Sequence, residues 1–209
     1  MLLQYLVNMP VASVIFALTI GLSIYVFSNP DWYGRLMLHP YSIHRDKSKF
    51  YLIFSSGLIH KDWMHLLFNM ITFYYFGFPL EQIFVEASGP MGHVLFAALY
   101  IVALVLSDIP TIMQQKNNPG YYSLGASGAI SAVLFSFILF YPKVKLYIFF
   151  ALPMPAFVFA FLYLGYCIWA SRNAKDGINH DAHLFGALTG LLFTLVAYPW
   201  IIKHFIGQF

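Results

Sequence analysis

Charge is scarce in this chain. Asp, Glu, Lys and Arg supply 9% of its 209 residues, where a soluble domain carries about 25%. With 60% hydrophobic residues and a mean hydropathy of +0.72, that shortage excludes a water-soluble globule and points to a polytopic membrane protein. The net charge of +3 forms no basic patch interleaved with aromatics, so no nucleic-acid partner is expected. A single cysteine, Cys167, excludes an intrachain disulfide and says nothing of redox compartment. No H-E-x-x-H pair occurs, which removes a common zinc-hydrolase signature. No internal repeat, linker or low-complexity tract is found, and without a repeat a transporter is disfavoured. Residues 1–209 are expected to form one membrane domain with no separate soluble domain.

What is present is a series of apolar runs. A span needs about 20 mainly apolar residues, and six runs qualify, near Val11–Phe27, Asp62–Leu80, Met91–Ser107, Leu124–Tyr141, Leu146–Ala170 and Ala182–Ile202. The expected fold is an all-α membrane protein, a bundle of six transmembrane helices. The first run lacks a basic leader and a small-x-small cleavage site, so it reads as a retained span rather than a signal peptide. Pro153 and Pro155 predict a late start or a kink in the fifth span. The long first connection, residues 28–60, mixes HRDKSK with FYLIFSSGLI and predicts an interfacial substructure.

Ionisable and polar groups in such helices are functional candidates. They are His60, Asp62, His65 and Asn69 around the second span, Ser127 and Ser131 in the fourth, and His180, Asp181 and His183 at the sixth. The second, fourth and sixth spans run in the same direction. His65, Ser127 and His183 each lie about one turn in, hence roughly 5 Å below one membrane face. Asn69 follows His65 by four residues, on the same helix face.

Two readings of GASG (residues 125–128) compete. Small residues let helices approach closely, and the pairs Gly125/Ala129, Ser127/Ser131 and Gly186/Gly190 fit that packing role. Alternatively, Ser127 is a nucleophile, Gly125 and Gly128 clear the approach of a substrate backbone, and a histidine supplies the base a hydroxyl needs. An amide or imidazole N–H and the serine's own backbone N–H could hold an oxyanion. No carboxylate is placed to orient the base: Asp181 points away from His183, and Asp62 reads as a helix cap. The expected unit is a Ser–His dyad. A zinc site built from His60, His65, His180 and His183 is the rival within enzyme chemistry, and it leaves Ser127 unexplained.

LIHKDWMHLLFNM, then GASG opening a span, then AHLFGALTG opening the last, resemble in order and spacing the rhomboid intramembrane serine proteases. The resemblance implies Ser127 as nucleophile, His183 as general base, and His65 and Asn69 lining the oxyanion hole, with Glu81 structural. It implies cleavage of single-span membrane proteins near the membrane surface, within lipid, without a metal or organic cofactor. The alternative on the same fold is a catalytically silent binder of transmembrane helices.

Two positions depart from the family. Phe50-Tyr51 stands where a Trp-Arg pair is common in the first connection. Ser131 stands where many relatives carry an aromatic that stacks on the catalytic histidine, so His183 must be held another way. Sidedness divides the signals. Arg35, Arg45, Lys47, Lys49, Lys61, Lys116, Arg172 and Lys175 fall on the active-site side, and Lys143, Lys145 and Lys203 on the other. The positive-inside rule then places the site in the cytoplasm. Resemblance to bacterial relatives implies a plasma (inner) membrane with the site on the extracytoplasmic side.

Overall fold

The computed structural model describes residues 6–148 and 151–209. Residues 1–5 and Phe149-Phe150 of the expected fifth span lie outside them. The described chain is mostly helical. In chain order it contains α1 (Pro10–Ser28), the short helices α2 (Tyr33–Leu36), α3 (Pro40–Arg45) and α4 (Tyr51–Ser56), then α5 (Trp63–Ser88), α6 (Met91–Gln115), α7 (Ser127–Phe140), a hairpin of β1 (Lys145–Ile148) and β2 (Leu152–Pro155), α8 (Ala156–Asn173), α9 (His180–Ala197) and α10 (Ile201–Ile206).

Three helices, α1, α6 and α9, are long and apolar enough to cross a membrane by length and composition. The other three expected spans correspond to helices that fall outside this measure. α7 is apolar but only 14 residues long. α5 carries Pro79, Glu81 and Glu86 within its 26 residues. α8 has 18 residues, because the expected run from Leu146 begins as the hairpin: Lys145 pairs with Pro155 and Ile148 with Leu152. Pro153 and Pro155 cannot donate in a helix interior, so helix starts only at Ala156.

The packing is centred on α7. Twelve of its 14 residues are buried, and a helix apolar on all sides is one surrounded by protein. Its most extensive contact is with α9, and α5 and α6 also pack on it. The two helices meet along small residues at matching four-residue steps. Gly186 faces the Gly128 backbone and Gly190 that of Ala132, and one turn on Ser136 Oγ lies 2.6 Å from Thr194 Oγ1. The G-x-x-x-G seam read in the sequence is this contact. Outward faces carry large apolar side chains, Phe161 at 73% and Val196 at 81% exposure, a surface suited to lipid rather than water.

Glu81 is fully buried and accepts the backbone N–H groups of Val11 (3.2 Å) and Ala12 (2.7 Å), with His93 Nδ1 at 2.6 Å. It thereby satisfies two of the donors orphaned at the start of α1, the structural task expected of it. The first connection is folded: Leu38, Ile43, Leu52 and Ile53 form an apolar cluster against Val105 and Ile112 of α6.

Candidate active site

Three helix starts build the site. Asp62 caps α5, its Oδ1 accepting the His65 N–H at 2.8 Å. His65 is thus the third residue of its helix. Asn179 caps α9, its Oδ1 accepting the Ala182 N–H at 3.1 Å, and its amide donates to Thr111 Oγ1 at 2.9 Å. His183 is the fourth residue of α9. Ser127 is the first residue of α7 rather than one turn in, because Gly125 takes φ +116° and Leu124–Ala126 run outside the helix. That irregular segment has specific partners. Leu38 and Ser123 form an antiparallel bridge, the Gly125 N–H donates to Ser56 O at 2.9 Å, and the Ala126 N–H points at His60 Nε2 at 3.5 Å.

The result is a short contact between side chains 56 residues apart: Ser127 Oγ lies 2.8 Å from His183 Nε2. Both are half-buried and line a cavity of about 910 Å³ that His65, Asn69, Asp176 and Asn179 also line. The Asn69 amide donates one hydrogen to His65 O at 2.9 Å. An amide nitrogen carries two, so one donor is left for a ligand. The four residues that the resemblance names, Ser127, His183, His65 and Asn69, therefore share one cavity.

His183 is held as the departure at Ser131 requires. The Tyr163 ring, from α8, lies nearly parallel to the His183 ring, 19° apart with centroids at 6.4 Å, and its hydroxyl is 2.7 Å from Ser131 Oγ. The aromatic missing from position 131 is supplied by another helix, and the serine there anchors it. Nothing within α8 alone distinguishes Tyr163 from its aromatic neighbours, which is why sequence reasoning passed over it. Asp108 was also missed. It lines the cavity from α6, and a carboxylate one residue beyond an apolar run was the available signal. At the other departure, Lys47 lies over the Phe50 ring (5.1 Å) and Lys49 over that of Tyr51 (5.9 Å), while the Tyr51 hydroxyl donates to Arg35 O at 3.4 Å.

The remaining candidates lie around this cavity or away from it. Gly125 and Gly128 line the cavity, and the space their side chains would take is already filled by protein. A Cβ on Gly125 would meet His65 Cε1 at 2.7 Å, and one on Gly128 would meet Ser107 Oγ at 2.5 Å. Both glycines make room for the protein itself. His60 belongs to no metal cluster with His180 and His183. It is fully buried, with Nδ1 3.1 Å from Ser23 Oγ, and its ring stands edge-on to His65 at 4.8 Å. Burial, reinforced by neighbouring His65, pushes its pKa down to about 3, so it is a neutral buttress behind Ala126 and His65. Asp181 accepts from Gln114 Nε2 at 3.1 Å and does not engage His183.

Comparison with known proteins gives a consistent picture. The Rhomboid domain profile matches residues 47–200. The chain is 24% identical over 161 residues to "Rhomboid protease GlpG" of Haemophilus influenzae, covering 77% of this chain and 76% of that protein. It is 26% identical over 167 residues to "RHOMBOID-like protein 12, mitochondrial" of Arabidopsis thaliana (73% of this chain), and 29% identical over 158 residues to "Rhomboid-related protein 1" of Caenorhabditis elegans (72%). Of these last two it spans only 49% and 40%.

Proposed function

Because this chain belongs to the rhomboid family, we propose that it is a six-span intramembrane serine endopeptidase that cleaves single-span membrane proteins near the membrane surface. The observation that carries this reading is the 2.8 Å contact between Ser127 Oγ and His183 Nε2 at the cavity. A hydroxyl within hydrogen-bond reach of an imidazole is the arrangement an activated serine needs.

On this reading, His183 Nε2 accepts the Ser127 proton as Oγ attacks the scissile carbonyl. The carbonyl electrons move onto oxygen, and donors near it, the free Asn69 N–H, the His65 ring and the Ser127 backbone amide, stabilise that oxyanion. Ser127 opens α7, so its amide is one that has no partner within the helix. Collapse of the intermediate expels the amine, which takes the proton from His183. Water from the cavity, deprotonated by His183, then attacks the ester and releases the acid and Ser127. No carboxylate orients His183; Tyr163 restricts its ring from one face instead. A substrate peptide bond must leave its helix to reach Ser127, so substrates with weak helices are favoured.

We also propose a multi-pass topology in a bacterial plasma membrane with the cavity on the extracytoplasmic face. The charge bias against this orientation comes largely from the first connection. There Arg35 lies 5.2 Å from the centre of the Trp32 ring, Arg45 lies 3.6 Å from that of Tyr41, and Arg45 Nη1 donates to Lys116 O at 3.1 Å. Cations fixed in a folded layer weigh less in topology than those of short free loops.

The test is fluorophosphonate labelling of detergent-purified protein. Labelling of wild type that is abolished in Ser127→Ala and in His183→Ala is expected. Folded wild type that stays unlabelled would favour a silent binder of transmembrane helices.

A further inference from the structure

Beside the dyad lies a second cluster that shares only His183 with the proposed reaction. Cys167 of α8 and His180 and His183 of α9 each offer a ligand atom, and these atoms all lie within 4.8 Å of one another. Cys167 is fully buried and His180 is 4% exposed. His180 Nε2 faces the Asp176 carboxylate, at 3.1 Å from Oδ2 and 3.3 Å from Oδ1. Its other nitrogen, Nδ1, is buried with no hydrogen-bond partner.

A buried imidazole nitrogen without a partner costs free energy unless something occupies it. The tautomer resolves what it is. With the N–H on Nε2, donated to Asp176, Nδ1 presents a lone pair. A histidine that gives one N–H to a carboxylate and turns the other nitrogen inward is the usual arrangement of a metal-ligating histidine. The donor set, one thiol and two imidazoles, is that of a tetrahedral zinc site with one position open. Ligand atoms around such an ion stand roughly 3.3–3.8 Å apart, given bonds of about 2.0–2.3 Å. Side-chain movement of about 1 Å closes the cluster on an ion. Asp176 and His183 both line the cavity, which supplies the path from water.

We propose that Cys167, His180 and His183 form a site for a thiophilic divalent cation, of which Zn²⁺ is the type, and that its occupancy switches the dyad off. On binding, the Cys167 thiol loses its proton to water and the sulfur bonds the ion; the metal is neither oxidised nor reduced. His183 has two ways to take part. If Nδ1 binds the ion, the imidazole proton resides on Nε2, which becomes a donor and can no longer accept from Ser127. If Nε2 binds, Ser127 loses its partner outright. The ion is thus an inhibitor rather than a cofactor. Binding is independent of the protease reading; inhibition rests on it.

The two are tested separately. Detergent-purified wild type is titrated with Co²⁺, which reports tetrahedral thiolate ligation by a sulfur-to-cobalt charge-transfer band in the near ultraviolet and d–d bands in the visible. A stoichiometric spectrum, bleached by one equivalent of Zn²⁺ and lost in Cys167→Ser, is expected. Asp176→Asn should weaken binding about tenfold or more. Wild type that gives no charge-transfer band overturns the site. In parallel, Zn²⁺ should slow fluorophosphonate labelling at least tenfold, reversibly with EDTA. Cys167→Ser and His180→Gln should label like wild type without zinc and need at least tenfold more zinc for inhibition. Equal zinc sensitivity in all three proteins overturns the inhibitory role. Absence of labelling in every condition counts against the protease reading, while the cobalt spectrum still decides the site.

Discussion

Replacing Gly186 by alanine puts one methyl group into the seam that sets the Ser127–His183 distance. A Cβ there would lie 2.8 Å from the Gly128 carbonyl carbon and 3.1 Å from its Cα, with the carbonyl oxygen nearer still. Carbon atoms pack at about 3.5–4.0 Å, and backbone cannot swing aside, so α9 must withdraw from α7 by about 0.7–1 Å. Carried to the dyad, that displacement stretches a 2.8 Å contact to about 3.5 Å or more, beyond a useful hydrogen bond. A misplacement of about 1 Å costs on the order of 10²-fold in rate, and overpacking costs about 1–3 kcal/mol of stability. The assay is the rate of fluorophosphonate labelling alongside the thermal midpoint in detergent. Gly165→Ala, with nothing within 4 Å of its Cβ, serves as control and should leave the labelling rate unchanged without lowering the midpoint. If folded Gly186→Ala labels at the wild-type rate, the seam does not set the dyad and the reasoning fails.

Tyr163→Phe keeps the ring beside His183 but loses Ser131, and should lower labelling less than about threefold; Tyr163→Leu, which removes the ring, should lower it about tenfold. Asn69→Ala should reduce turnover of a membrane substrate by about 10²–10³-fold if its amide serves the oxyanion, and an effect on KM alone would refute that role. Glu81→Ala leaves two buried amides of α1 unpaired and should cost about 1–3 kcal/mol in thermal stability, with labelling retained below the midpoint. His60, neutral when folded down to about pH 3, titrates near 6.5 when unfolded. Between these values the unfolded chain binds the extra proton, so stability falls as pH drops, by at most about 1.4 kcal/mol per pH unit. Thermal midpoints at pH 7.5 and 5 should converge in His60→Gln relative to wild type.

Local chemistry was legible where it depended on one segment. The apolar run Val11–Phe27 matches α1 within a residue at each end, and Asp62 was read as a cap from its place before His65. The shared depth of His65, Ser127 and His183 followed from helix direction alone. Features that depend on which helices touch were not legible. Nothing in the sequence says that His65 and Ser107 fill the space beside the glycines of GASG. Tyr163 acquires its place only when α8 packs beside α9. The hairpin that replaces the start of the fifth span needs pairing across a turn, which an apolar run does not announce. Cys167 lies 13 residues before His180 in sequence, and only the α8–α9 contact makes them neighbours.

The late start of α7 bears on how a hydrolase can work inside lipid. Fourteen residues make a helix about 21 Å long, against a hydrocarbon thickness of about 30 Å. With α7 as the fourth span of the proposed topology, some 9 Å is left to non-helical chain, and such chain survives at that depth only where protein or a wet cavity satisfies its amides. The strand-like bridge at Ser123, the Ser56 carbonyl and the His60 ring do this on one side, and on the other the chain borders the cavity. On the proposed reading, the short central helix leaves a well through which the second reactant, water, would reach Ser127. A fourth span of ordinary length would seal it.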